Sequence, residues 1–371
     1  MRVALVGPVY PYRGGIAHYT AMLARALAEK HETLVVSFRR QYPAWLYPGK
    51  SDKDPSKQPL RTPAEYLLDP LYPWTWWRTA HRIREFGARA VVMPWWVPFW
   101  APSFATLARM AGGQGGPRII FVCHNVMPHD NGLLDTLLTR LALSQGDGFV
   151  IQSRSDGSRL AQLVPQGRSV YVPLPVPPAR ATGPILARCS DDEGESQLLF
   201  FGIVRPYKGL GLLLEALPMV RERRRVHLTV AGEFWDQRER YVRKINDLGL
   251  GDLVTVEDHY VPDEELAGLF QRADLLTLPY LSATASAVLA QAMAHGVPVV
   301  VTEVGDLGDI VRAHGIGTVA APGDPRSLAD AILEALEPST MAQLRQNVQV
   351  MTQGSHQGWS ALVAAIETLA A

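Results

Sequence analysis

LPYLSATASAVLAQAMAHGVPVVV, Leu278 to Val301, reads in one pass as strand, short polar turn, helix and strand. Leu275-Leu276-Thr277-Leu278 is an apolar run that stops at Pro279, and the turn after it carries Ser282, Thr284 and Ser286. Val288, Leu289, Ala292 and Met293 then recur at helical spacing. Gly296-Val297-Pro298 breaks that helix and feeds a second buried strand, Val299 to Val301. Strand, helix and strand in this order argue for parallel pairing in an α/β fold. A helix that opens on small hydroxyl residues at the carboxyl end of a parallel strand aims its free N–H groups and positive dipole end at that edge, where a phosphate can sit. Ser282, Thr284 and Ser286 are equally ordinary helix caps, and the stretch alone leaves both roles open.

The same unit recurs along the chain. Val3 to Val6 is strand-like, GPVYPYRGG is a loop, Ile16, Tyr19, Leu23, Ala26 and Leu27 follow at helical spacing, and Thr33 to Phe38 is a second strand. Gly14 and Gly15 let a phosphate or sugar approach the backbone at that helix start, although the loop is neither a dinucleotide GxGxxG nor a Walker motif. From Arg39 to about Asp69 the composition shifts to Pro, Lys, Asp and Ser, which predicts a long surface loop. Two aromatic runs follow, PWTWW at Pro73 to Trp77 and PWWVPFWAPSF at Pro94 to Phe104. With Pro98 and Pro102 interrupting it, the second run cannot point wholly into one helix core. Aromatic packing and a face for an acceptor or a lipid surface are both open here.

Arg118 to Cys123 is a further strand, ending in His124-Asn125-Val126-Met127-Pro128-His129-Asp130. A histidine at the carboxyl end of a parallel strand sits where open α/β sheets place their ligands. His124, His129 and Asp130 straddle a proline loop and lack a third well-spaced partner, so no metal is assigned. Strand alternation makes Cys123 a buried residue rather than a nucleophile. Strands at Phe149 to Gln152 and Ser169 to Val172 flank a helix at Ser155 to Leu163. Pro173 to Gln197, rich in Pro, Gly, Ser and acidic residues, reads as a linker. The pattern then restarts: Leu198 to Phe201 strand, RPYKG loop at Arg205 to Gly209, Leu210 to Val220 helix, Val226 to Ala231 strand, Tyr241 to Leu248 helix, Val254 to Val256 strand. Two α/β halves with a flexible joint imply a cleft between them. Arg205 and Lys208 would bring two cations to the edge where the Ser286 helix starts, which suits a diphosphate whose charge grows in the transition state. Two solvated surface cations are the other reading. Gly232-Glu233 forms one more loop at that edge.

Composition narrows the classes. A chain of 371 residues predicts about two to three domains. Hydrophobic residues at 47% and charged residues at 19% mark an ordinary globular protein. Lys+Arg 36 cancels Asp+Glu 36, which offers no electrostatic footprint for nucleic acid. Cys123 and Cys189 form neither a disulfide framework nor a metal quartet and fit a reducing cytoplasm. MRVALVGPVY is too short an apolar run for a signal peptide, and no run reaches the ~18 residues of a membrane span. The expectation is a soluble, cytoplasmic protein, with peripheral contact at the inner face of a membrane left open by the tryptophan runs.

FFGIVRPYKGLGLLLEAL, VAGEF, YVPDEELAGLFQRADLLTLPY and AQAMAHGVPVVVTEVGDL, with the GGIAHYT loop and the CHNVMPHD strand end, resemble the retaining glycosyltransferases of family four over nearly the whole chain. The resemblance implies the GT-B fold, two Rossmann-like parallel-sheet domains facing across a cleft. The expected division is an acceptor-side domain over 1–180, a linker over 181–197, a nucleotide-sugar domain over 198–355 and a helix over 356–371 returning to the first domain. It implies that Lys208, with Arg205, binds the donor diphosphate, that Gly14-Gly15 approaches it from the other side, and that His124 lies near the reacting sugar. Tyr260 and Val261 would lie by the nucleobase, and Gly232, Glu233, Ser282, Thr284, Ser286 and Gln291 complete the donor set. The nucleotide-sugar is a substrate, so neither cofactor nor metal is expected, and the acceptor is a glycan, a lipid-linked sugar or a small molecule. Three positions depart from the pattern: Ile203 stands where the family has an arginine, and Ala283 and Gln291 stand where it has paired glutamates. At Gln291 a neutral hydrogen bond of ~0.5–1.5 kcal/mol replaces a charge-assisted one of ~1.5–3, on the order of tenfold in donor affinity. The expected activity is metal-independent sugar transfer with retention. A degenerate GT-B subunit that only binds, or a GT-B epimerase or phosphorylase, are the alternatives.

Overall fold

The computed structural model describes residues 1–43, 45–113, 115–127, 132–178, 194–353 and 355–371, without the side chains of 353, 355 and 356. Among these residues the strands separate into two sheets, and every strand pairing is parallel because a helix or a long loop intervenes between successive strands. The chain divides into two compact units, one of Met1–Pro55, Pro59–Pro175 and Gln357–Ala371, the other of Ser56–Gln58 and Val176–His356.

The first unit contains β1 (Arg2–Val6), β2 (Glu32–Phe38), β3 (Glu65–Leu68), β4 (Ala90–Trp95), β5 (Arg118–Cys123), β6 (Gly148–Ile151) and β7 (Arg168–Tyr171), in the spatial order β3-β2-β1-β4-β5-β6-β7. Both faces of the sheet are covered, which is why its strands are continuous apolar runs. Val3, Leu5, Val92 and Val122 pack with Tyr19, Leu23 and Leu27 of the helix Gly15–Ala28 and with Leu362 and Ile366 of the final helix. Ala4, Val6, Met93 and Phe121 face the opposite layer, made by the helices Pro73–Phe86, Ala101–Ala111 and Leu133–Leu143.

One expectation is corrected here. The stretch read as one loop from Arg39 to Asp69 contains β3, an edge strand paired only with β2 and too short to leave a periodic signal. The second aromatic run, as its prolines imply, does not enter one helix core: it is split among β4, the 3-10 turn Pro98–Trp100 and the helix Ala101–Ala111, and Trp95, Trp100 and Phe104 are fully buried, the last two against Phe38. Its prolines turn the chain from strand to helix and so place these segments against one core.

The second unit contains β8 (Ser196–Phe201), β9 (Val226–Ala231), β10 (Val254–Glu257), β11 (Leu275–Leu278), β12 (Val299–Thr302) and β13 (Gly317–Ala320), ordered β10-β9-β8-β11-β12-β13. This is the doubly wound order, in which the strand sequence reverses between β8 and β11 and leaves a crevice at their carboxyl ends. In the first unit the reversal falls between β1 and β4. Residues 179–193 of the expected linker, Cys189 among them, lie outside the described residues. Ser196 and Gln197 already belong to β8 and pair with Val226 and His227 of β9. Among the described residues no helix is long and apolar enough to cross a membrane.

Candidate active site

In the second unit the site is built around Gly202, the residue after β8. Its φ of +98° suits glycine, and an added Cβ would lie 2.9 Å from Lys208 Nζ and 3.4 Å from Val288 Cγ2. The missing side chain therefore leaves the space in which the lysine ammonium meets the start of the helix Ala287–Ala294. From Arg205 the chain makes a single 3-10 turn, Pro206–Lys208, and leaves it through Gly209 at φ +71°. A Cβ on Gly209 would sit 1.8 Å from the Pro279 carbonyl oxygen, while the Leu281 N–H donates to the Tyr207 carbonyl at 2.7 Å. The loops after β8 and β11 are thus packed backbone to backbone at the switch point.

Lys208 is buried rather than solvated, with 8% of its surface exposed. Its ammonium lies 5.8 Å from the centre of the Tyr280 ring. Burial, with the nearby Arg205 charge adding to it, pulls its pKa from 10.5 to about 8. Tyr280 is itself buried, which pushes its hydroxyl pKa up, partly offset by the Ser286 side chain. Ser286 Oγ accepts from the Leu289 N–H at 3.2 Å as the helix cap. Capping and ligand approach are therefore compatible: Ser286 satisfies Leu289, and the amides of Ala287 and Val288 open the helix without intrahelical acceptors. Ser286→Ala is expected to cost about 1 kcal/mol of folding stability, read as a shift of the urea midpoint at unchanged slope.

Arg205 is exposed and lies over the Trp235 ring at 4.5 Å, and Trp235 Nε1 donates to Glu233 Oε1 at 3.2 Å. Gly232, with an added Cβ 2.2 Å from the Gly202 carbonyl oxygen, brings the ends of β8 and β9 into direct backbone contact. Tyr260 and Val261 follow β10 at the far side of the sheet, and the Val261 side chain packs into the core with Phe270 and Tyr280, so only its backbone is available to a ligand. Ser282 and Ala283 are half-buried and Thr284 is buried. Behind them the loop after β12 closes in: the Thr284 carbonyl accepts from Asp306 N at 3.3 Å, and a Cβ on Gly305 would lie 2.2 Å from the Ala283 carbonyl oxygen. Gln291 is half-buried in the second turn of the helix.

In the first unit, Gly14 caps the helix Gly15–Ala28 at φ 100° and ψ 172°. No atom lies within 4 Å of an ideal Cβ there, so the backbone angle and not crowding calls for glycine. His124 continues β5, its N–H donating to the Trp95 carbonyl at 2.9 Å. Its ring stands edge-on to Tyr19 at 4.3 Å, and Tyr19 in turn packs against Trp359 at 5.3 Å. Burial pushes the imidazole down to about 4, only partly offset by the Gln152 side chain, so it is neutral at pH 7. Among the described residues its buried Nε2 has no hydrogen-bond partner, a debt that a bound hydroxyl would settle. Cys123 is fully buried with its thiol pushed up, inert as a nucleophile. His129 and Asp130 lie outside the described residues.

The predicted residues thus fall into two groups. Arg205, Lys208, Gly232, Glu233, Ser282, Thr284 and Ser286 gather at the carboxyl ends of β8, β9 and β11, and Gly14, Gly15 and His124 follow β1 and β5. Gly202, Tyr280, Trp235, Tyr19 and Gln152 were not singled out by the sequence. A glycine immediately after an apolar strand was the one available signal, at Gly202. Gln152 donates to the Tyr19 hydroxyl at 2.7 Å across 133 residues of sequence, which no local pattern reveals.

Two doubly wound parallel sheets, each ending in glycine-rich loops at its switch point, define the GT-B class of fold. The chain superimposes on sucrose-phosphate synthase from Thermosynechococcus elongatus with a TM-score of 0.71 at 19% identity, covering 99% of this chain and 98% of that one. It superimposes on Anabaena Alr3699/HepE in complex with UDP and glucose with a TM-score of 0.74 at 15% identity, covering 99% of each. Residues 195–338 match the family described as Glycosyl transferases group 1, and residues 13–180 match Glycosyltransferase Family 4. A D-inositol 3-phosphate glycosyltransferase from Frankia alni is 30% identical over 290 residues, 74% of this chain and 68% of that relative. One from Pseudarthrobacter chlorophenolicus is 33% identical over 175 residues, 46% of this chain and only 41% of that relative. The chain belongs to the group 1, family 4 glycosyltransferases.

Proposed function

We propose that the protein transfers a sugar from a nucleotide-sugar donor to an acceptor hydroxyl, with retention of configuration and without a metal ion. The supporting observation is the convergence at Gly202 of a buried lysine ammonium and the opening amides of the Ser286-capped helix. Positive charge held out of water stabilises a departing diphosphate more strongly than solvated charge does, because it need not reorganise as the leaving group ionises. Lys208 and the amides bind the leaving diphosphate, Arg205 adds a second cation from the loop rim, and neutral His124 orients a hydroxyl through Nε2. When the acceptor attacks from the face the diphosphate leaves, a leaving phosphate oxygen takes the acceptor proton as the bond to the sugar breaks.

The Anabaena protein of like fold is described with UDP and glucose, which makes uridine nucleotides the first donors to test. Nucleoside diphosphate alone is expected to raise the thermal transition, with about 2.7 kcal/mol of stabilisation at a hundredfold excess over Kd. Transfer then follows by anomeric NMR of the product, which should keep the donor configuration and persist in chelator.

A second reading rests on Ala283 and Gln291, which leave the donor stretch without either carboxylate: a subunit that binds a glycan or a partner enzyme but transfers nothing. Absence of stabilisation by every nucleoside diphosphate would favour it. On the enzymatic reading, Gln291→Glu is expected to tighten nucleoside diphosphate binding by about tenfold in titration calorimetry, as a neutral hydrogen bond becomes charge-assisted.

A further inference from the structure

The helix Leu133–Leu143 breaks the rule that a surface helix turns its apolar stripe inward. Thr139, Ala142 and Leu143 face the core, while Leu133, Leu134, Leu137 and Leu141 are 94%, 66%, 65% and 47% exposed. Spacings of three, four and eight residues put these leucines on one outward stripe. Two helices away in the same layer, Trp74 and Trp77 of the helix Pro73–Phe86 are 61% and 58% exposed, and Tyr72 stacks beside Trp74 at 4.4 Å. The helix Ala101–Ala111 lies between them, since all three pack on one face of the first sheet. At helix spacings of about 8–10 Å the two apolar groups are about 20 Å apart on one side of the unit. Singly exposed apolar residues need no explanation, but two grouped clusters on one face do.

The charge on this face separates it from the rest of the chain. Lys+Arg 36 balances Asp+Glu 36 overall, yet these three helices carry Arg78, Arg82, Arg84, Arg109 and Arg140 against Glu85 and Asp135, and among the described residues Arg82 alone of the five is paired to an acid outside them, Glu65 of β3 at 2.7 Å. Both acids are engaged, Glu85 with His81 at 3.1 Å and Asp135 with the Gly132 N–H at 3.2 Å. Arg78, Arg109 and Arg140 are exposed beside the apolar groups.

From this combination we infer that the outer face of these three helices docks on an anionic phospholipid surface, Leu133, Leu134, Leu137 and Leu141 entering the acyl boundary and Trp74 and Trp77 seating at headgroup level. Tryptophan and tyrosine favour that level because one end of each ring system is apolar and the other wet. Arginines at the margin extend to phosphates while their stems lie along the apolar surface. A fluid surface can meet both clusters at once across the intervening Arg109 ridge. The inference is independent of the donor chemistry.

The test is flotation of the full chain with vesicles of pure phosphatidylcholine and of phosphatidylcholine containing about one-third phosphatidylglycerol, at about 0.1 M and about 0.5 M salt, where screening lengths differ more than twofold. The expected result is binding to the anionic vesicles that weakens in high salt and falls at least about tenfold in Leu134→Glu/Leu137→Glu, since each leucine loses its apolar transfer. Arg109→Glu/Arg140→Glu should abolish the preference for anionic lipid. Leu134→Ser/Leu137→Ser serves as the second variant if the glutamates disturb folding, checked by circular dichroism. No vesicle binding, or binding that is equal on neutral lipid and indifferent to salt, overturns the inference. So does a concentration-dependent dimer in sedimentation that the same leucine substitutions dissociate, which would make the face an interface between copies of this chain.

Discussion

Lys208→Ala is expected to lower turnover by about two to three decades, the loss seen when one preorganised donor to a developing anion is removed. The effect should appear in kcat more than in KM, because the buried ammonium gains most when the departing diphosphate carries its full charge. Folding is not the expected casualty. Lys208 is a buried cation whose ionised form is disfavoured by its surroundings, and removing it relieves that cost while leaving the Tyr207–Leu281 backbone bond that joins the two loops. Lys208→Met separates charge from packing: it keeps an unbranched stem beside Tyr280 and loses only the ammonium. It should be as slow as the alanine variant. Lys208→Arg is expected to rescue little, because a longer side chain with a planar fork does not put a compact ammonium where Lys208 Nζ lies over Gly202. Initial rates of nucleotide release measure all three, and near-normal rates in the alanine and methionine variants together would remove the proposed mechanism.

The fold was legible where burial dictates the residue type. Strands covered on both faces become uninterrupted valine and leucine runs, so β1, β8, β11 and β12 announce themselves, and glycines and prolines mark their ends. What stayed hidden depends on distant partners. β3 is four residues long and half-exposed, with nothing local to distinguish it from the surrounding loop. The tryptophans at 95 and 100 and those at 74 and 77 look alike in sequence, yet the first pair is interior and the second lies at the surface. The difference is set by which side of a helix or strand meets the sheet. At the site, RPYKG and the Ser286 turn could be read as cationic and anion-seeking. That Lys208 is buried could not, because its burial comes from Tyr280 and Gly202, neither of which the motif contains. Likewise His124 was singled out by its place after a strand, but its neutrality comes from burial, and Tyr19 and Gln152 beside it, with Trp359 packed behind Tyr19, are scattered from one end of the chain to the other.

Nucleoside diphosphate affinity is expected to be nearly level between about pH 7 and 8, where the terminal phosphate is fully ionised, and to fall about tenfold per pH unit above that, because the ligand binds the ammonium form of a lysine whose pKa in the free protein is about 8. The groups around it do not supply this slope. Tyr280 and Tyr207 are both pushed up by burial and stay neutral through this range. Stability of the free protein should move the opposite way. Between about 8 and 10.5 the unfolded chain holds the Lys208 proton that the folded chain has released, so the unfolded state binds more protons and this group makes unfolding costlier as pH rises. Binding pulls the proton back. Calorimetry about one unit above pH 8, in buffers of different ionisation enthalpy, should therefore report uptake of close to one proton per diphosphate, against about a tenth of a proton from this group at pH 7. Lys208→Met should show neither the slope nor the uptake. A wild-type affinity that stays flat from neutrality to well above pH 8, with no proton taken up, would mean that the ligand does not meet this ammonium, and the diphosphate would have to be placed elsewhere on the unit.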